Sequence, residues 1–126
     1  MPVEFNHTIW HARDSRASAR FLTDILGLPE PGTFGPFVTV LTSNGVSLDF
    51  IDSPGTISSR HFAFLTTEGE FDEIFARIRE RGLQYWADPA RMQPGEINHH
   101  FGGRGVYFED LDGHFLEVIT RPYGSK

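Results

Sequence analysis

Six histidines, 17 acidic side chains and no cysteine define the chemistry open to this 126-residue chain. Without thiols there is no disulfide, no thiolate nucleophile and no sulfur ligand, so any bound metal must be held by nitrogen and oxygen. His7 and His61 each open a short run of branched and aromatic residues, while Asp49 and Glu117 each sit in the last such run of one half of the chain. Strand alternation places His61 on a face with Ala63 and Leu65, and Glu117 on a face with Phe115 and Ile119. A carboxylate on so apolar a face is costly unless it has a partner, and a divalent cation is one such partner. Two imidazoles and a carboxylate with open coordination positions suit non-haem Fe(II), and equally Zn, Mn or Ni. Two plainer readings stand beside this one. A strand histidine is commonly a hydrogen-bonded core residue, and a carboxylate near a strand end commonly pairs with an arginine, here Arg104 or Arg121.

The elements that must position these residues are legible in outline. Phe5 to Trp10 reads as a strand. Asp14 is placed as an N-cap for a helix carrying Ala17, Phe21, Leu22, Ile25 and Leu26, which Gly27 ends. Pro29, Pro31, Gly32, Gly35 and Pro36 predict a broken connection without a regular element. Phe37–Thr42 and Val46–Ile51 then form a hairpin about Ser43–Asn44–Gly45. The pattern restarts with a strand over Arg60–Thr66, and a helix follows whose apolar face is Phe71, Ile74, Phe75 and Ile78, closed by Gly82. A short strand over Leu83–Trp86 and a polar loop over Asp88–Asn98 come next. Strands over Gly105–Glu109 and Phe115–Thr120 flank the turn Asp110–Leu111–Asp112–Gly113.

Strand, helix and three strands are thus written twice. Gly45-Val46-Ser47-Leu48-Asp49-Phe50-Ile51 lies over Gly113-His114-Phe115-Leu116-Glu117-Val118-Ile119, with the glycines, leucines and isoleucines identical and the carboxylates coincident. Asn6–His7 lies over Arg60–His61, and Leu26-Gly27-Leu28 over Arg81-Gly82-Leu83. The chain reads as one domain, residues 1–126, made of two repeated modules at roughly 1–54 and 58–122. A net charge of −6 argues against a nucleic-acid partner. No apolar run approaches a membrane span and the first residues carry no signal-peptide pattern, so a cytoplasmic protein is expected.

These residues resemble the vicinal oxygen chelate superfamily, the group of glyoxalase I, the bleomycin resistance proteins and the extradiol dioxygenases. The resemblance rests on the doubled unit, on Asn6–His7, on Gly102-Gly103-Arg104-Gly105-Val106-Tyr107-Phe108, and on Asp110-Leu111-Asp112-Gly113-His114-Phe115-Leu116-Glu117. It implies an α+β fold of two tandem βαβββ modules, whose curved mixed sheets surround a cup holding one divalent metal ion. Carried over by position, it assigns His7, His61 and Glu117 as metal ligands. Asp49 falls where some members place a fourth ligand, and being short it either reaches the metal through water or acts as a base. A homodimer is expected, with the cup formed within one chain or with His7 from one chain and His61 and Glu117 from the other.

Three functions follow from that resemblance. The first is a glyoxalase-type lyase or isomerase acting on a small oxygen-rich substrate, with Glu117 or Asp49 as the base. The second is an Fe(II) extradiol dioxygenase in which His11 and Tyr107 line the cup and handle protons. The third is a metal-free sequestering protein, with Trp10, Phe34, Phe37 and Trp86 stacking on a flat ligand. A fosfomycin-type thiol transferase fits less well, since its expected first-strand threonine and potassium loop are missing. Arg104 is a candidate for binding a substrate carboxylate, or else a surface ion pair. His99 and His100 belong either to a solvated loop or to a lid. His114, on the strand face opposite Glu117, is expected to serve as a neutral control for mutations of the site.

Overall fold

The structure is a computed structural model and describes residues 2–125. The chain divides into two units, Met1–Ser58 and Ser59–Lys126. The first runs β1 (His7–Ala12), α1 (Ser15–Leu26), β2 (Gly32–Phe34), β3 (Phe37–Leu41) and β4 (Ser47–Asp52). The second runs β5 (His61–Leu65), α2 (Glu68–Glu80), β6 (Tyr85–Trp86), β7 (Gly105–Glu109) and β8 (Phe115–Ile119), with one 3₁₀ turn at His100–Gly102. Each unit is a four-stranded mixed sheet with the same order, β1-β4-β3-β2 and β5-β8-β7-β6. This is an α+β fold of two tandem βαβββ modules. Among the described residues no helix is long and apolar enough to cross a membrane.

The helices begin and end for local reasons. Asp14 accepts the Ala17 N–H at 3.1 Å, and Gly27 closes α1 in the left-handed region at φ 71°. Thr67 caps α2 by accepting the Glu70 N–H. Glu68 and Glu70 in the first turn of α2, with Arg77 and Arg79 in its last, oppose the helix dipole. In the first unit Leu22 and Ile25 of α1 are fully buried, and Trp10 stacks on Phe50 at 4.8 Å. Trp10 is therefore core there. In the second unit Phe71, Ile74 and Ile78 of α2 are buried, as are Val106, Phe108, Leu116 and Val118 on alternate positions of β7 and β8. The remaining positions of those two strands, Tyr107, Phe115 and Glu117, point to the other face of the sheet.

Three boundaries depart from the sequence expectation. The proline- and glycine-rich connection holds a strand, β2, joined to β3 by the two-residue turn Gly35–Pro36 with Gly35 at φ 56°. As an edge strand it tolerates the flanking prolines that seemed to forbid it. The first strand begins at His7 rather than Phe5 and continues to Ala12, because its ladder exists only opposite β4, from His7↔Ser47 to Ala12↔Asp52. The strand expected over 83–86 shrinks to Tyr85–Trp86, paired with Phe108 and Tyr107.

Candidate active site

The first and last strands of each module pair in parallel, so residues far apart in sequence meet side by side. In the second unit His61 lies opposite Phe115 and Ala63 opposite Glu117. Glu117 is 2% exposed on this face. His61 Nε2 stands 3.0 Å from Glu117 Oε1, and its Nδ1 stands 3.0 Å from the Phe115 carbonyl oxygen. Both ring nitrogens thus face oxygens that only accept. If Nδ1 donates to the carbonyl, Nε2 of a neutral ring turns its lone pair toward a carboxylate. A second ring proton resolves that conflict, and so does a divalent cation. An imidazole whose far N–H is held by a backbone carbonyl is the usual outer-shell arrangement of a metal-binding histidine.

Two phenols complete the cluster. Tyr123 donates to Glu117 Oε1 at 2.9 Å. Tyr107, directly across the ladder from Glu117, also hydrogen-bonds it and stacks against His61 with ring centroids 6.0 Å apart. Burial first, then the charge and hydrogen bond of Glu117, push the Tyr107 hydroxyl far above its usual range. The bond to Glu117, followed by burial, also raises the Tyr123 hydroxyl above its usual range. Both therefore stay protonated donors at neutral pH. Tyr107 continues into an aromatic cluster with Phe115 and Trp86, capped by the Arg91 guanidinium 4.0 Å above the Phe115 ring.

The other sequence-derived residues have different partners. In the first unit His7 Nδ1 meets Asn6 Oδ1 at 2.7 Å, His11 Nδ1 meets Ser53 Oγ at 2.7 Å, and the buried Asp49 accepts from Ser47 Oγ at 2.7 Å. Arg104 is held by α2: it pairs with Glu68 and Asp72, both at 2.8 Å, and covers the Phe71 ring. That is the surface-pairing alternative rather than a free carboxylate receptor. His99 and His100 are exposed, in and beside the 3₁₀ turn. Among the described residues no three His, Cys, Asp or Glu side chains come together. His61, Glu117 and Tyr107 are the members of the expected set that do meet.

Two participants escaped the sequence reading. Tyr123 lies just past Pro122, beyond the end of β8 at Ile119, and its hydroxyl reaches back to Glu117; no periodicity marks it. His114, expected to serve as a neutral control, has a partner that the sequence does not announce. It is fully buried, and its Nδ1 accepts the Arg60 N–H at 3.0 Å, one residue before His61. Alternation fixes which face a residue occupies but not what waits there.

Comparison with known proteins agrees with this architecture. Two solved structures, "Oxidase ChaP-H1" and "Oxidase ChaP-H2", are 61% and 62% identical to this chain, with TM-scores of 0.96 and 0.97. The first match covers 98% of this chain and 100% of that one, the second 99% and 98%. The "Metallothiol transferase FosB" of Shouchella clausii (strain KSM-K16) is 36% identical over 63 residues, half of this chain. The match spans only 39% of that relative's length. The model of the Glyoxalase/Bleomycin resistance protein/Dioxygenase superfamily matches residues 4–118, and the chain belongs to that superfamily.

Proposed function

We propose that the protein is a metal-dependent oxidase acting on a small molecule with neighbouring oxygen atoms. The observation that carries the metal is the His61 ring, its Nδ1 directed at a backbone carbonyl and its Nε2 at the buried Glu117. Support for oxidase chemistry is the identity of 61–62% over nearly whole chains with two proteins named as oxidases. His61 and Glu117 are the donors, with His7 as the third by position in the superfamily pattern. Bound there, a divalent ion such as Fe(II) supplies a Lewis-acidic centre that neighbouring substrate oxygens can chelate.

The chain's own groups prepare that centre. The Phe115 carbonyl fixes the ring angle of His61 and leaves Nε2 to coordinate. Tyr107 and Tyr123 donate to Glu117, holding one carboxylate oxygen and keeping the charge localised. As neutral phenols beside the ligand they can also hydrogen-bond a substrate oxygen. Tyr107, Phe115 and Trp86 provide a buried aromatic floor beside the pair. The glyoxalase-type lyase would use Glu117 or Asp49 as its base; Asp49 accepts from Ser47 within its own strand, and the strongest matches are named as oxidases. The oxidase therefore ranks first. We propose a homodimer as the working assembly, which light scattering at micromolar concentration checks.

The test is metal analysis of untagged protein, then anaerobic reloading with Fe(II), Zn, Mn or Ni and a panel of catechols, hydroquinones, hemithioacetals and CoA thioesters. Oxygen uptake with a dihydroxyaromatic and Fe(II) supports the proposal. Isomerisation of a hemithioacetal without oxygen uptake replaces it with the lyase. Ligand binding with neither metal nor turnover replaces it with the sequestering protein.

A further inference from the structure

We infer that His114 is a positioning residue that tethers the start of β5 and thereby steadies the His61–Glu117 pair; its link to metal rests on the function proposed above. Four bonds in succession join residues 59–61 to residues 113–115. Ser59 Oγ donates to the Gly113 carbonyl at 2.8 Å, and the Arg60 N–H donates to His114 Nδ1 at 3.0 Å. The Phe115 N–H donates to the Arg60 carbonyl at 2.8 Å, and His61 Nδ1 meets the Phe115 carbonyl at 3.0 Å. Of the four, the His114 bond is made by a side chain of the β7–β8 hairpin that is itself fully buried, where an acceptor left unmet is costly.

The imidazole is itself held. Its backbone N–H donates to Asp110 Oδ1 at 2.8 Å, and Phe62 of β5 meets its ring edge-on at 5.8 Å. His114 therefore grips β5 from the α2 side of the sheet while Glu117 meets His61 on the other. Holding the Arg60 amide in this way limits the freedom of its neighbour His61. The first module keeps the same register without such an acceptor, His7 lying opposite Ser47 as His61 lies opposite Phe115. There Val46 occupies the place of His114, the backbone bond from the Ser47 N–H to the Asn6 carbonyl persists at 2.9 Å, and valine offers no acceptor. In that module the histidine and carboxylate do not pair; His7 meets Asn6 and Asp49 meets Ser47.

The test compares His114→Val, which copies the first module, with His114→Asn, whose amide oxygen can take the place of Nδ1. Metal-free protein is read by hydrogen exchange of the Arg60 amide and by the imidazole ¹⁵N shifts of His61. Zn²⁺ affinity is read by competition with a chromophoric chelator, at a temperature where each variant is folded. Valine is expected to lose Arg60 protection, to give averaged His61 shifts, and to weaken Zn²⁺ binding by ~10- to 100-fold, the usual cost of an outer-shell loss. Asparagine is expected to restore all three. A folded valine variant with wild-type His61 shifts overturns the inference, whatever its melting temperature. If valine does not fold, the asparagine variant decides: wild-type His61 shifts support the role, and averaged shifts beside a protected Arg60 refute it. If wild-type protein binds no Zn²⁺, the proposed metal function fails, while the metal-free arms still judge His114.

Discussion

The two modules share a backbone and differ in what they do with it. His7 and His61 occupy the same ladder position, opposite Ser47 and Phe115, and Asp49 and Glu117 follow two residues later. Their hairpins agree down to the turn: the Thr42 and Asp110 side chains accept the N–H four residues on, and Gly45 and Gly113 adopt φ 85° and 84°. Yet only the second module brings imidazole and carboxylate within 3.0 Å. The causes are small. Aspartate is one methylene shorter, and serine two residues before it on the same strand face offers a hydroxyl that captures it. Phenylalanine at the matching position has no such donor, so Glu117 is left to His61 and the two tyrosines. Duplication supplies two frames, and a few side chains decide which one becomes a site.

The largest effect is expected at Glu117. Glu117→Ala should lower divalent-metal affinity by more than about 100-fold, exceeding what outer-shell changes cost, and Glu117→Gln should retain more because its amide oxygen can still coordinate. Metal content after dialysis against a chelator measures this, and full retention by Glu117→Ala breaks the assignment. Asp49→Asn, the equivalent change in the first module, should cost about tenfold less than Glu117→Gln in the same assay, on the order of an outer-shell effect at most. Equal losses would make the two carboxylates partners.

Where the modules agree, their responses should agree too. Gly45→Ala and Gly113→Ala place a side chain in the left-handed region with open space around it, so strain alone acts. Each should destabilise by about 1 kcal/mol, read from urea midpoints. The smallest effect concerns pH. An unfolded tyrosine ionises near pH 10, whereas Tyr107 in the fold is held protonated well above that. Above pH 10 the unfolded state therefore binds fewer protons, and stability falls as pH rises. Tyr107→Phe should show a shallower alkaline decline in melting temperature, and an unchanged slope would detach the phenol from Glu117.

How much of this was readable beforehand follows from where each signal resides. The doubling was legible because turn glycines and strand carboxylates mark fixed backbone conformations, and Asp14, Gly27 and the Phe71–Ile78 stripe mark helices locally. The strand β2 was hidden because pairing with β3, not propensity, makes it a strand. The meeting of His61 with Glu117 was inferred from superfamily pattern, and the structure provides its contact. Arg104 shows the converse: its type suggested a substrate, and α2 provided Glu68 and Asp72. Tyr123 belongs to no element, so no pattern could announce it.

The parallel pairing of first and last strands also has a consequence in time. His61 and Glu117 are 56 residues apart in sequence, with a helix and a hairpin between them. The helix and the hairpin are short-range structures that can form early, whereas the β5–β8 ladder must close the longest loop of its module. The donor pair is accordingly among the last things the module completes. On the metal function proposed above, a folding chain would offer an ion only isolated histidines and carboxylates until β8 docks, and capture of the ion would report that the module has finished folding.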